Sequence, residues 1–351
     1  LANPICDIDK INQRYKFIEE IINKKINISD ILKNILDIER LHRKIALGSL
    51  NPSDFINLDD SYKEIIDLYG MIKNTELKLI FKKKYYKRLL KFMNYYNSIF
   101  NLEEISKYIL NDITGSFYQQ GIHPEIDEIQ NKINESKKKL NDIRERFDSY
   151  IEDKKSYFSD KKNNMVHLNF NERDKFHFLV TTRRAEQIKK KCKDEKIRYV
   201  KQKSNNTKIF LPIFESLSDS IICNTEILRR KIKKVYVEDL LNIYKKYNVL
   251  FDNITIAISE IDFYNGGSKC AVKNNYCKPI IEENDNSFIE SKKIRHPIIE
   301  KLIEVNYIPH DIKLGKDDNL GILLYGLNSA GKSSLMKSIG INIVLAQIGY
   351  F

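Results

Sequence analysis

The stretch YGLNSAGKSSL, residues 325–335, has a spacing of residues that suits the binding of phosphate groups. Gly326, Gly331, Lys332 and Ser333 complete the pattern G-x-x-x-x-G-K-[ST] of a phosphate-binding loop. Such a loop leaves a buried strand and opens a helix. The apolar residues before Gly326 predict the strand, and residues 333–347 predict the helix. The spacing therefore predicts a site for a nucleoside triphosphate.

Each part of this loop has its own chemical task. The glycines permit backbone conformations and a close approach that a Cβ atom would hinder, so that successive N–H groups can point at phosphate oxygens. Lys332 adds a full positive charge for the β and γ phosphates, and the Ser333 hydroxyl is positioned to ligate Mg²⁺. The expected cofactors are ATP and Mg²⁺. The loop residues expected to bind nucleotide are Gly326, Asn328, Ser329, Ala330, Gly331, Lys332, Ser333 and Ser334.

Hydrolysis of the nucleotide requires more than this loop. An acid at the end of a second strand must hold Mg²⁺, and another residue must orient the attacking water. Those groups come from later strands, and the chain ends at Phe351. We expect the complete protein to be an ATPase, whereas this chain alone should bind nucleotide weakly and hydrolyse it poorly or not at all. No catalytic residue is assigned.

Positive charge is concentrated in one part of the chain. The formal net charge is +12, and residues 189–203 contain eight basic residues against two acids. Such a surface suits the phosphate backbone of double-stranded DNA. A solvated lysine-rich surface is the alternative that the sequence leaves open. The residues expected to contact DNA are Arg198, Lys201 and Lys203.

The pattern around this basic segment predicts a small β-containing unit on a helical stalk. The segments MVHLNF and FHFLV alternate apolar and polar residues on either side of the turn-like NERD, which predicts a β-hairpin. A helical stretch and a short strand, IRYV, follow. Apolar residues at three-four spacing over 126–150 and 217–235 predict two long antiparallel helices that hold the unit at one end.

The rest of the chain reads as helices followed by the opening of an α/β domain. Only 12 glycines and 7 prolines are present, which favours long helices, and LGSLNPSDF at residues 47–55 predicts a turn between two of them. The segment NGGSK, residues 265–269, predicts the end of the helical region. Beyond it, SFIESKKI and LGILLYG predict strands of an α/β P-loop domain. One apolar stripe, predicted to be core, comprises Ile65, Leu68, Ile72, Leu89, Phe92, Tyr96 and Ile99.

Composition excludes several other classes of protein. The five cysteines are odd in number and nowhere form C-x-x-C, so we expect reduced thiols in place of a disulfide framework or a zinc site. No run of about 18 uncharged apolar residues appears, and LANPICDIDK lacks the plan of a signal peptide. An intracellular protein without a membrane partner is expected.

The segment from KIRHP to LAQIGYF, residues 293–351, resembles the ATPase domain of the MutS mismatch-repair family. An Arg-His-Pro turn, an aromatic residue, the P-loop and a helix ending in LAQIG occur there in that order. Upstream, LANPICDIDKINQRYKFIEEI resembles the entry into the core and lever domain of that family. HPEIDEIQ resembles the approach to its clamp, and IRYVKQKSNNTKIFLP the exit from it.

The resemblance implies a fold and the roles of further residues. The fold is mainly α, with a small β-containing clamp inserted between two long antiparallel helices, followed by the start of an α/β P-loop ATPase domain. The clamp closes over duplex DNA, and the ATPase domains join subunits into a homodimer or heterodimer. Tyr307 matches the aromatic residue on which adenine stacks, and the backbone of Ile308 lies at the base edge. The implied domains are 1–156 for the core and lever, 157–207 for the clamp, 208–264 for the returning lever helices, and 265–351 for the truncated ATPase domain.

The expected function is that of a MutS-like DNA-binding ATPase, associated with DNA and acting in mismatch repair or a related DNA transaction. The loop GLNSAGKSS lacks the Pro and the Met-Gly-Gly turn of most members, and His310 stands where Asn is common, which indicates a divergent branch. A structural coiled-coil ATPase that organises chromosomes is the alternative, although such proteins usually place the P-loop before the stalk. A P-loop kinase with a helical extension would require neither the basic tip nor the Arg-His-Pro segment.

Overall fold

The computed structural model of the protein describes residues 5–152, 165–192, 196–202, 205–315, 319–328 and 330–351. The chain divides into two compact units. The first comprises Leu1–Leu36, Asp60–Leu89 and Val249–Phe351, and the second comprises Asp37–Asp59 and Leu90–Asn248.

Helices account for most of the described residues, as the composition predicts. They are α1 (Ile8–Asn23), α2 (Ser29–Asn34), α3 (Ile38–Ala46), α4 (Asp54–Ile72), α5 (Lys83–Ile99), α6 (Leu102–Ile105), α7 (Pro124–Asp148), α8 (Thr182–Lys191), α9 (Pro212–Asn274), α10 (Ile299–Leu302) and α11 (Lys332–Ile348). The strands are β1 (His167–Asn171), β2 (Lys175–Thr181), β3 (Arg198–Lys201), β4 (Asn206–Phe210), β5 (Ile289–Ile294) and β6 (His310–Leu314).

Local sequence signals account for the N-terminal helices. Asp7 and Asp37 cap α1 and α3, because their side chains accept the N–H of Lys10 at 3.1 Å and of Arg40 at 3.0 Å. The predicted turn at 47–55 separates α3 from α4. The predicted apolar stripe is confirmed as core, with six of its members buried and Ile99 half-buried.

The predicted antiparallel stalk is confirmed within the second unit. Near its start, α7 is joined to α9 by an ion pair between Glu125 and Lys231, and further along Ser136 Oγ lies 3.3 Å from Ser220 Oγ. Partners on α9 come earlier in the chain as α7 proceeds, so the two helices run in opposite directions. The buried residues of this seam are Ile126, Ile133, Leu140, Phe147, Leu217, Ile221, Leu228 and Ile232.

The β-unit is an antiparallel sheet of order β1-β2-β4-β3 with α8 packed against it. The predicted hairpin is confirmed, since Asn171 and Lys175 face each other across its turn. Phe178 and Ile209 share one core with Phe214 of α9. Strand β4 was not predicted. Only two of its residues, Thr207 and Ile209, are buried, and an alternation of buried and exposed residues with two buried positions is too short to indicate a strand.

The prediction that the helical region ends near residues 265–269 is wrong. Helix α9 continues through Gly266 and Gly267 to Asn274. A Cβ atom at Gly267 would lie 2.8 Å from Ile18 Cδ1 and 2.9 Å from Tyr350 Cε1. This glycine therefore serves the close packing of a helix interior, where the sequence pattern suggested a turn.

The two strands predicted before the phosphate-binding loop have different outcomes. SFIESKKI contains β5, which pairs antiparallel with β6. LGILLYG forms no strand, because no strand in the described parts of the chain pairs with it to satisfy its backbone groups. Its side chains lie in solvent, and Leu323 and Tyr325 are about nine-tenths exposed, at 88% and 90%.

The helices of the described residues differ from membrane-spanning helices, which need about 20 predominantly apolar residues. None of them combines the length and the apolar content that crossing a bilayer requires.

Candidate nucleotide loop and DNA-binding surface

The phosphate-binding pattern leads directly into α11, as predicted. Gly331 occupies the N-cap position of this helix with φ 94°, a left-handed conformation that favours glycine. No side chain caps the helix start, and a Cβ atom at Gly331 would meet nothing within 4 Å. The start of α11 therefore has no side-chain cap, and the first N–H groups of a helix are donors whose hydrogen bonds an anion can accept.

The ammonium group of Lys332 lies on the loop itself. Its Nζ donates to the carbonyl oxygen of Gly326 and, at 2.8 Å, to that of Leu327. The carbonyl of Leu327 also accepts the N–H of Ala330 at 3.3 Å. Backbone carbonyls carry no formal charge, so a phosphate would be a stronger partner for this lysine.

The structure brings the other residues that were predicted to bind nucleotide only partly together. Asn328, Ala330 and Ser333 are exposed and Ser334 is half-buried, whereas Ser329 lies outside the described residues. Tyr307 is half-buried and Ile308 is exposed, both just before β6. Within the described residues, no hydrogen bond or ring contact joins Tyr307 to the loop.

A polar cluster around Arg295, whose role the sequence did not reveal, connects α9 with α11 in the first unit. The Arg295 guanidinium contacts Glu300 at 3.1 Å and the carbonyl oxygen of Asn274 at 3.0 Å. The Tyr276 hydroxyl donates to Glu300 at 2.6 Å, and Asn342 of α11 donates to the carbonyl of Arg295 at 3.0 Å. Burial, followed by the contact with Glu300, raises the pKa of Tyr276. The Arg-His-Pro sequence marked this region without indicating these partners.

The far end of α11 is held by α1. Gly349 ends the helix with φ 94°, and Arg14 and Tyr15 donate to the carbonyl oxygens of Ile348 at 2.7 Å and Ala346 at 2.6 Å. The contact with Arg14 provides a donor for the Ile348 carbonyl at the helix end, whereas the Ala346 carbonyl also accepts the N–H of Gly349 at 3.0 Å. The Tyr350 hydroxyl donates to the carbonyl of Phe263 on α9 at 2.9 Å. The helix that carries the loop is thus held at Asn342 and at its C-terminal end within one unit.

The predicted DNA-contacting residues lie on an edge strand of the β-unit. Arg198 and Lys201 are exposed on β3, which forms one edge of the sheet. The Arg198 guanidinium lies over the Phe210 ring, 4.4 Å from its centroid, whereas no ion pair joins Lys201 to a described carboxylate. The third predicted residue, Lys203, lies outside the described residues.

Some lysines of the β-unit are paired with acids and so contribute less to its positive potential. Lys191 pairs with Glu152 at 2.5 Å, and Lys208 pairs with Asp174 at 2.6 Å. The hydrogen bond from Lys208 is the first cause of a lowered pKa at Asp174. Among the described residues of the β-unit, the exposed basic residues without an ion pair are Arg173, Arg183, Lys189, Lys190, Arg198 and Lys201.

No metal centre built from side chains is found in the described part of the chain. No group of three or more His, Cys, Asp or Glu residues there is arranged to hold a metal ion, and the five cysteines are unpaired. Ser333, the residue predicted to ligate Mg²⁺, is exposed at the start of α11.

Comparisons with known proteins give one consistent result. Residues 1–266 match the family described as MutS domain III. The whole chain is 30% identical to a protein of Acanthamoeba polyphaga mimivirus named as a DNA mismatch repair mutS homolog, and covers 36% of that protein. It is 27% identical to the DNA mismatch repair protein MutS of Clostridium kluyveri and 29% identical to that of Fusobacterium nucleatum, of which it covers 38% and 37%. The chain thus spans less than two fifths of the length of these relatives.

Proposed function

The chain belongs to the MutS family, and on that basis we propose that it is the part of a DNA mismatch-repair ATPase that binds ATP and holds duplex DNA. Loop 326–334 would bind ATP, and the β-unit would contact DNA without regard to sequence. The observation that carries the ATP-binding half of the proposal is the junction at Gly331, where a left-handed glycine opens α11 beside Lys332. The relatives are named for mismatch repair, which supports the DNA half.

Binding of the triphosphate would proceed by an exchange of partners at Lys332. Its ammonium would leave the carbonyls of Gly326 and Leu327 for the β and γ phosphates, while the first N–H groups of α11 donate to phosphate oxygens. Ser333 would hold Mg²⁺, which neutralises phosphate charge when bound. Tyr307 would stack on adenine, with the backbone of Ile308 at the base edge.

Further parts of the proposal concern the complete protein. Residues 157–207 would form the clamp, 1–156 and 208–264 the core and lever, and 265–351 the start of an ATPase domain. The complete protein would hydrolyse ATP as a dimer through its ATPase domains, in mismatch repair or a related DNA transaction. The family match over residues 1–266 supports the core and lever, and the similarity of the whole chain to proteins named for mismatch repair supports the assignment to that process.

Replacing Lys332 by Ala tests the ATP site. We expect ATP binding, measured by calorimetry, to fall below detection, because the only full positive charge of the loop is removed. Lys337→Ala is the matched control, since Lys337 is exposed on the same helix and outside the loop. Far-UV circular dichroism should be the same for all three proteins. Equal affinity for ATP in wild type and Lys332→Ala would refute the site.

Replacing Lys201 by Glu tests the DNA surface. Phosphate contacts depend on salt, and the logarithm of affinity falls by about 0.9 per decade of salt for each contact with duplex DNA. We expect Lys201→Glu to weaken binding to a labelled duplex and to reduce this slope by about 0.9, equally for unrelated sequences. Unchanged affinity and slope would remove Lys201 from the surface.

A further inference from the structure

The start of α5 carries a second concentration of positive charge, far in sequence from the β-unit. We define the α5 basic patch as Lys82, Lys83, Lys84, Lys87 and Arg88, all of which are exposed and belong to the first unit. The whole of α5, KKYYKRLLKFMNYYNSI, contains no acidic residue. Two rows at four-residue spacing, Lys83 with Lys87 and Lys84 with Arg88, therefore present only positive charge.

The lysines of the patch are not neutralised by neighbouring carboxylates. Within the described residues, no ion pair involves Lys82, Lys83, Lys84 or Lys87. Elsewhere in the same unit such pairs are present, as between Lys24 and Glu20 at 2.6 Å. Lysines at the beginning of a helix also face the positive end of its dipole, which is unfavourable for the isolated chain. An anionic partner would remove both sources of repulsion.

Aromatic contacts fix the helix that carries the α5 basic patch. The rings of Tyr86 and Tyr69 are stacked with centroids 4.2 Å apart, and Tyr69 also meets Phe81 edge-to-face at 5.6 Å. These contacts attach the first turn of α5 to α4 within the first unit. The basic rows therefore project from a packed helix, with Lys83 and Lys87 about 6 Å apart along its axis.

The composition of the patch suits phosphates better than a protein partner. Protein interfaces are depleted in lysine at their centres and rely on buried aromatic or aliphatic anchors. Most contacts of proteins to DNA go instead to phosphate oxygens, from basic side chains and helix starts. Five exposed basic side chains within seven residues, four of them on α5 and Lys82 directly before it, fit a repeating polyanion.

We propose that the α5 basic patch contacts the phosphate backbone of duplex DNA and forms a second DNA surface in addition to the β-unit. This inference rests on the proposed binding of duplex DNA and adds to it a binding surface on the first unit. The contacts are to phosphates, so they carry no sequence preference.

The test is a double charge reversal, Lys83→Glu with Lys87→Glu, in the full chain. Fluorescence anisotropy with a labelled 30-base-pair duplex is measured from low to moderate salt. We expect affinity to fall at least tenfold near 0.15 M salt and the salt slope to fall by about 1.8, since two phosphate contacts contribute about 0.9 each. An acid at position 83 is favourable in the first turn of the helix, and position 87 is exposed, so we expect the variant to fold. Circular dichroism confirms the helical content.

The matched control is Lys292→Glu with Lys301→Glu, which makes the same change in net charge at exposed residues of β5 and α10. It should leave affinity and slope near the wild-type values. Equal losses in both double variants would overturn the patch, because general electrostatics would then account for the effect.

Three further outcomes separate this proposal from the proposed function. If Lys201→Glu weakens binding and the α5 variant does not, the patch is refuted and the DNA half of the proposed function stands. If the wild-type chain does not bind the duplex, both fail. If the α5 variant loses binding to poly-glutamate but keeps binding to DNA, the patch is a surface for an acidic polypeptide and the proposal is wrong.

Discussion

Lys332 illustrates what one residue contributes beyond its place in a pattern. The spacing of the loop residues predicted a phosphate-binding role for Lys332. The structure adds that the ammonium group of Lys332 bridges two carbonyl oxygens of the loop. A phosphate bound by Lys332, as proposed, would have to displace these two hydrogen bonds. Pattern reasoning could not supply this, because backbone carbonyls have no signature in the sequence.

Arg295 shows the opposite relation between sequence and site. Its motif was recognised, yet its partners Glu300, Asn274 and Asn342 come from three separate segments. Their convergence depends on how α9, α10 and α11 pack, which no local spacing reports. Tyr307 remains a prediction, since its assignment rests on a resemblance and no contact in the described residues joins it to the loop.

At the scale of helices and strands, hydrophobic periodicity correctly predicted the elements that depend on residues close in sequence. It failed for the elements that depend on contacts with residues far away in the chain. The seam of α7 and α9 follows from apolar spacing alone, and it is confirmed. The continuation of α9 past Gly267 depends on Ile18 and Tyr350, which are remote in the chain. LGILLYG has the composition of a strand, but a strand forms only where partner strands satisfy its backbone.

The close packing at Gly267 gives a prediction for this element. Gly267→Ala should destabilise the protein by roughly 1–3 kcal/mol, because its Cβ would press on Ile18 and on the ring of Tyr350. Gly70→Ala is the matched control on α4, where a Cβ meets nothing within 4 Å. It should stabilise by about 0.5–1 kcal/mol, the usual gain over glycine within a helix. Urea midpoints measure both.

The two glycine variants are informative as a pair. Stabilisation in both would mean that α9 separates from α1 and Tyr350 in solution, and the packing reason given for the uninterrupted helix would then be wrong. Destabilisation at Gly267 alone would support the view that α1, α9 and the end of α11 are tightly packed in the first unit.

At the scale of the whole molecule, charge and burial combine to make stability depend on pH. The net charge of +12 increases in acid, which adds self-repulsion to any local effect. One buried histidine makes a separate contribution to this pH dependence of stability. His42 on α3 is buried, and its burial lowers its pKa to about 3.

The sign of the His42 effect follows from linkage. Its pKa is near 6.5 in an unfolded chain, so below that pH the unfolded state binds a proton that the folded state excludes. As far as His42 is concerned, the folded state therefore has its full stability above pH 6.5. That stability is lost as the pH falls from 6.5 toward 3. Between pH 7.5 and 5.5 the loss should be about 1.4 kcal/mol from this residue alone.

His42→Leu should remove that part of the pH dependence. We expect the difference in unfolding free energy between pH 7.5 and 5.5, measured by urea titration under circular dichroism, to shrink by about 1.4 kcal/mol in this variant. Ile45→Val is the control on the same helix, since it should lower stability by about 0.5–1.5 kcal/mol at both pH values and leave the difference intact. An unchanged difference in His42→Leu would mean that the imidazole already takes up a proton in the folded protein, and the acid sensitivity would then belong to the overall charge.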